Sequence, residues 1–165
     1  MELKSQYTIR FNDCDPFNHL NNSSYIDYML NAREDHLKTH YGIDLPSYYA
    51  KGIGWVVGSH EIVYVSPAIY NEVVSIHSEI LEIHEDYFWV EMRMYNQSAS
   101  KLKALMRTKF ITVNMQTGKK DVPPTEFLEK INALEYHNKA FETNIQLRVS
   151  EVINELKLEI LDVRC

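Results

Sequence analysis

Hydrophobic residues change their spacing several times along this chain, and each change marks an element. Residues 3–11 alternate imperfectly and predict a first strand. From about residue 23 to residue 41, Tyr25, Met29, Ala32 and His36 recur at helical spacing, with Ile26, Arg33 and Leu37 alongside. Asn21, Asn22 and Ser23 suit the N-cap of this helix, Lys38 and His40 suit its negative pole, and Gly42 suits the left-handed residue after it. Residues 44–51 read as a loop with a helical turn after Pro46. The chain then turns to β. Residues 55–66 are rich in Val and Ile and close at Pro67, and 73–84, 87–96 and 101–115 follow as strands. The short links Glu85-Asp86 and 97–100 predict antiparallel neighbours. In the last strand Leu102, Ala104, Met106, Thr108 and Phe110 face one way, and Lys101, Lys103, Arg107 and Lys109 the other. After Pro123-Pro124 a helix is predicted from residue 125 to about 136, with Phe127, Leu128, Ile131 and Leu134 as its stripe. Ile145, Val149, Val152, Ile153, Leu156 and Ile160 keep helical spacing in the tail, where Ser150 is the expected cap. One strand, one long helix and four consecutive strands predict an α+β fold, a sheet that buries one helix.

Composition narrows the function classes. At 165 residues the chain suits a single domain, and 45% hydrophobic residues suffice for its core. A net charge of −6 argues against nucleic acid as a partner, because phosphate binding needs an excess of Lys and Arg. The only cysteines, Cys14 and Cys165, form no disulfide framework, which points to a reducing compartment. Residues 1–6 lack the apolar stretch of a signal peptide, and no segment is apolar enough to span a bilayer. The expectation is a soluble cytoplasmic domain with no membrane partner.

The chemistry concentrates in residues 12–25, Asn-Asp-Cys-Asp-Pro-Phe-Asn-His-Leu-Asn-Asn-Ser-Ser-Tyr. Two carboxylates and an imidazole stand on one turn immediately before the long helix. A helix start leaves backbone N–H groups without intrahelical partners at the positive end of the dipole. A carboxylate base beside free amide donors suits attack on a carbonyl: one group activates water and the others hold the oxyanion.

This turn resembles that of the hotdog-fold acyl-CoA and acyl-carrier-protein (ACP) thioesterases, the 4-hydroxybenzoyl-CoA thioesterase-like family. Their pattern Asp-x-Asp-x-x-x-His-x-Asn-Asn-x-x-Tyr is met by Asp13, Asp15, His19, Asn21, Asn22 and Tyr25. Ala32-Arg33 and the segment Tyr64-Val65-Ser66-Pro67-Ala68 fit as well, so the resemblance covers residues 3–117. It implies a single hotdog domain over 1–120 with a helical C-terminal extension over 121–165. It also implies hydrolysis of an acyl-CoA or acyl-ACP thioester without metal or redox cofactor. Asp15 would be nucleophile or general base, and His19 would orient water or substrate. The thioester oxygen would lie near the backbone amides from Leu20 to Ser23, with Asn21, Asn22 and Ser23 shaping that site. In some relatives another amide comes from the turn before the second strand, where Gly54 sits. Relatives pair their open strand edges, which implies a homodimer or homotetramer. The chain departs from the pattern at Asn18, where many members have Gly, and at Leu30-Asn31, where many carry Glu. Phe17 also stands two residues after Asp15, where some carrier-protein thioesterases have Asn.

Several residues have a plainer reading. Asp13 is expected to stabilise the turn more than to catalyse. Cys14 offers a thiol nucleophile but reads better as a small packed side chain. His36 and His40 stand at metal-compatible spacing, yet a histidine near a helix C-terminus has an electrostatic reason to be there. The basic face of the last strand is expected to be solvated, or to meet coenzyme A phosphates or an acidic carrier protein. Competing functions are a non-catalytic acyl-thioester sensor and a hotdog hydratase or dehydratase.

Overall fold

The computed structural model describes residues 3–134 and 140–162. Five antiparallel strands, β1 (Leu3–Thr8), β2 (Ile53–Tyr64), β3 (Val73–Ile83), β4 (Tyr87–Asn96) and β5 (Leu102–Asn114), form one sheet in the order β1-β3-β4-β5-β2. The long helix α1 (Asn22–Tyr41) lies on one face and α4 (Ile145–Asp162) on the other. Two short helices, α2 (Leu45–Tyr49) and α3 (Thr125–Asn132), close the end of the α1 face. This is the α+β arrangement the periodicity predicts.

The predicted stripe on α1 is the buried one. Tyr25, Met29, Ala32 and His36 are sealed against Ile76, Met92, Met94 and Met106 from β3, β4 and β5. Gly42 ends the helix at φ +62°, where a left-handed residue is favoured if it has no Cβ. The first strand is shorter than its sequence suggests, because the chain turns into a single 3-10 turn at Phe11–Asp13. That turn starts the Asp-x-Asp-x-x-x-His segment.

The C-terminal segment differs from expectation in two ways. Helix α4 is capped by Asn144, whose Oδ1 accepts from the amides of Gln146 and Leu147 at 2.9 and 3.2 Å. Ser150 instead turns its hydroxyl back to the carbonyl of Gln146 inside the helix. The helix predicted over 125–136 ends at Asn132, and residues 135–136 lie outside the described part.

Of the predicted basic face, Lys101 is exposed and Lys109 partly so, but Lys103 and Arg107 are buried and ion-paired. Val149 and Val152 of α4 pack on Leu102, Leu105 and Tyr95, covering this side of the sheet. Arg107, 3% exposed, donates through Nε and Nη2 to Glu91 of β4 at 3.1 and 3.0 Å. Glu91 also meets Arg148 of α4 at 3.2 Å and Arg93 at 3.6 Å. Lys103 pairs with Glu72 at 2.7 Å, and the Lys109 ammonium sits 3.8 Å over the Tyr87 ring. Arg107 is an internal partner because α4 brings Arg148 onto the same Glu91, whereas Lys103 is held by the loop after β2.

Candidate active site

Residues 13–21 fold into a tight, self-bonded turn. The amide of Asp15 donates to the carbonyl of His19 at 2.7 Å, and that of Asn18 to the carbonyl of Asp15 at 3.0 Å. Reversal at this point requires a left-handed residue, and Asn18 takes it at φ 67°. Asn is the side chain that best tolerates this region after Gly, so the turn survives the substitution. The loop after β2 clamps the turn from outside. Leu20 donates to Ala68 at 2.9 Å, and Tyr70 donates to Asn18 at 3.1 Å.

The Asp15 carboxylate is held by one oxygen. Its Oδ1 accepts from the amides of Phe17 and His19 at 2.9 and 3.0 Å, while Oδ2 has no hydrogen-bond partner among the described residues. One oxygen therefore fixes the group and the other is left to act. Asp15 is half-buried and lines an open cleft of about 330 Å³ together with His19, Asn22, Tyr25, Tyr64 and Pro67. The His19 ring is exposed at the cleft's rim, and no side-chain hydrogen bond holds it among the described residues.

The helix start supplies fewer free donors than its sequence offers. The amides of Leu20 and Asn21 are engaged within the turn, by Ala68 and by the carbonyl of Asp13 (2.9 Å). Those of Ser24 and Tyr25 donate to the carbonyl of Asn21. Asn22 and Ser23 remain: among the described residues their amides have no protein partner, and they sit at the positive pole of α1. Asn21 occupies the N-cap position, but its side chain makes no capping hydrogen bond. A side-chain cap would have occupied these N–H groups.

Asp13 Oδ2 accepts from the Tyr28 hydroxyl at 2.8 Å, which ties the turn to α1. The Cys14 thiol donates to the carbonyl of Arg10, and burial together with the charges of Asp13 and Asp15 pushes its pKa up. A thiolate is disfavoured there. His36 is fully buried, with Nδ1 2.7 Å from Ser78 Oγ, and no cluster of metal-ligating side chains surrounds it or His40 among the described residues. Gly54 is not brought to this cleft. It lies near the start of β2 opposite Val113, whereas the cleft is reached at Tyr64, on the order of 30 Å away along the strand.

Tyr64 is the participant that sequence reasoning passed over. Its hydroxyl donates to the carbonyl of Asn22 at 2.9 Å, and its ring stands edge-on to Tyr25 at 5.2 Å. Tyr25 in turn accepts the amide of Ala68 at 2.8 Å. The Tyr-x-x-Pro-Ala segment and the motif tyrosine thus lock the helix start to the end of β2. The signal was present as a motif, but its purpose is visible only once the two segments meet.

Comparisons with known proteins agree with this geometry. A 1,4-dihydroxy-2-naphthoyl-CoA thioesterase from Synechocystis superposes with a TM-score of 0.75 at 14% identity, covering 82% of this chain and 99% of that one. A hypothetical protein from Staphylococcus aureus, solved in complex with CoA, gives 0.77 at 14% identity over 89% and 92%. A Lactobacillus plantarum protein assigned as an oleoyl thioesterase gives 0.75 at 18% identity, and here 86% of this chain matches only 54% of that one. At such identities the likeness establishes the fold. No curated protein sequence matches significantly. The family model of the thioesterase-like superfamily matches residues 9–131, from the end of β1 into α3, and the chain belongs to that superfamily.

Proposed function

We propose that this protein hydrolyses acyl-CoA thioesters to a free acid and coenzyme A. The observation that carries this reading is the Asp15 carboxylate, anchored through Oδ1 with Oδ2 unengaged, in a cleft that also contains the uncapped start of α1. Asp15 takes the proton of a water whose oxygen adds to the thioester carbon. The oxyanion that forms is held by the amides of Asn22 and Ser23, each such donor being worth about 3 kcal/mol in the transition state. Collapse breaks the C–S bond, and the departing thiolate takes up a proton, with His19 at the rim as its donor. Direct attack by Oδ2 on the same carbon, followed by hydrolysis of the anhydride, uses the same atoms. Support for CoA as carrier comes from the CoA complex of the structural neighbour. The commitment of Lys103 and Arg107 to Glu72 and Glu91 leaves fewer free cations on β5 for an acidic carrier protein, which also favours CoA.

The functional unit of this reading is a homodimer. β2 is a long edge strand whose Val56, Val57 and Tyr64 are exposed, and Phe11 and Phe17 stand out beside the catalytic turn at 77% and 80% exposure. An open apolar edge invites pairing with a second copy.

Thiol release from acyl-CoA, followed colorimetrically, tests the activity. The native protein should release thiol, and Asp15→Asn should lower kcat about 1,000-fold with an unchanged circular dichroism spectrum. Full turnover by that variant would remove Asp15 from the mechanism. Tight acyl-CoA binding without thiol release would make the protein a binding module.

A further inference from the structure

A second cavity lies on the same face as the Asp15 cleft but shares no lining residue with it. It has a volume of about 170 Å³, and Leu30 and Leu37 of α1, Trp55 and Val57 of β2, Phe110 and Phe127 are among its walls. α1 makes its close backbone approaches to β1, β3 and β4. Between the two cavities, Ile26, Leu30 and Leu37 of α1 and Ile62 and Trp55 of β2 are only partly buried. Along α1, Asn22, Ile26, Leu30 and Leu37 project to one side of the helix. Opposite them, Tyr64, Ile62 and, past the irregularity at Gly58, Val57 and Trp55 pair with residues on the helix-facing side of β5. Asn22 and Tyr64 belong to the catalytic cleft; Leu30, Leu37, Val57 and Trp55 belong to the aromatic cavity.

We propose that the space between α1 and β2 is an acyl channel joining the two cavities, and that the substrate's acyl group is an unbranched chain of about ten or more carbons ending in the aromatic cavity. The assignment rests on the thioester reading of the cleft. From Asn22 to Leu30 the helix rises about 12 Å, and to Leu37 about 22 Å. An extended alkyl chain with C–C bonds near 1.5 Å advances ~1.3 Å per carbon, so about nine carbons bring it to the cavity. The cavity is of the size that accepts a benzene-sized guest, about six further carbons. Its far end is closed by α3, whose Phe127 stacks on Trp55 with ring centroids 4.6 Å apart. Short acyl groups, and an aromatic ring bonded directly to the thioester carbon, stop in the open cleft and leave the cavity empty.

The test is kcat/KM for saturated acyl-CoAs of increasing length and for benzoyl-CoA. Values should rise about tenfold or more between hexanoyl- and dodecanoyl-CoA as methylenes leave water. Leu30→Trp, which narrows the channel, should lower the dodecanoyl-to-butanoyl ratio about tenfold, and Phe127→Ala should move the optimum to longer chains. In a Trp89→Phe background, where Trp55 is the remaining tryptophan, a non-hydrolysable dodecanoyl thioether of CoA should shift Trp55 emission. A flat length profile, a preference for benzoyl-CoA, or unmoved Trp55 emission overturns the channel. Absence of thiol release from every thioester with a Trp55 response intact defeats the hydrolase reading and leaves the channel standing.

Discussion

At the scale of single residues, the site depends on backbone geometry as much as on side-chain chemistry. Asn18 holds φ 67° at the reversal that lets Asp15 Oδ1 gather two amides. A Cβ-bearing residue with no local polar compensation pays about 1 kcal/mol or more there. Asn18→Ala should therefore lower unfolding free energy by about that amount and reduce kcat, whereas Asn18→Gly should change stability by less than about 0.5 kcal/mol; urea denaturation distinguishes them. His36 carries a different prediction. Burial, reinforced by Arg33 and His40, pushes its pKa down to about 4, with Asp35 opposing and His77 adding to the effect. The unfolded chain then binds the proton more readily than the folded one. Stability from this group is complete above its ordinary pKa near 6.5 and declines as pH falls toward 4. Between pH 7 and pH 5 the loss should be about 2 kcal/mol, and His36→Gln should flatten that slope in denaturant titrations at the two pH values.

At the scale of elements, the C-terminal segment decides the character of the sheet. Without α4, the β5 pattern of alternating Lys and Arg reads as a wet surface. With it, Glu91 is fully buried among Arg93, Arg107 and Arg148, and Arg107 also donates to the carbonyl of Thr143. Removing the carboxylate leaves buried guanidinium groups uncompensated, a loss of about 3–5 kcal/mol. Glu91→Ala should lower the melting temperature substantially without altering the Asp15 turn, whereas Lys101→Ala, exposed in the turn between β4 and β5, should be near neutral. Calorimetry of the two variants separates an internal ion network from a solvated face. Element by element, α1 and the four later strands were legible because their periodicity is sustained over many residues. The start of α4 was misplaced because Ser150 and Asn144 are both acceptable caps locally, and only packing of Val149 and Val152 on the sheet selects between them.

At the scale of the whole molecule, the two sheet edges are not equivalent. β1 is short, while β2 runs the length of the sheet with exposed valines. The back of the sheet is occupied by α4, so association falls to the β2 edge and the aromatic residues beside the catalytic turn. Light scattering at micromolar concentration should give a dimer, and Val56→Lys should shift it toward monomer, since a charge on an edge strand opposes pairing. A monomer at all concentrations would separate the site from any partner copy.

Sequence by itself determined the fold class, the helix that is buried, and the turn where the chemistry sits. Each of these is written in local patterns: the 3.6- and 2-residue periods, and the spacing of Asp13, Asp15, His19 and Tyr25. Only the tertiary structure decided which amides are free, since Leu20 and Asn21 are engaged by groups that the pattern does not place. The same holds for the distance of Gly54 from the cleft, the pairing of Arg107 with Glu91, and the meeting of Tyr64 with the helix start. The physical reason is common to all four. A hydrogen bond or ion pair between segments dozens of residues apart depends on strand register and helix placement, and these are set by packing the entire core.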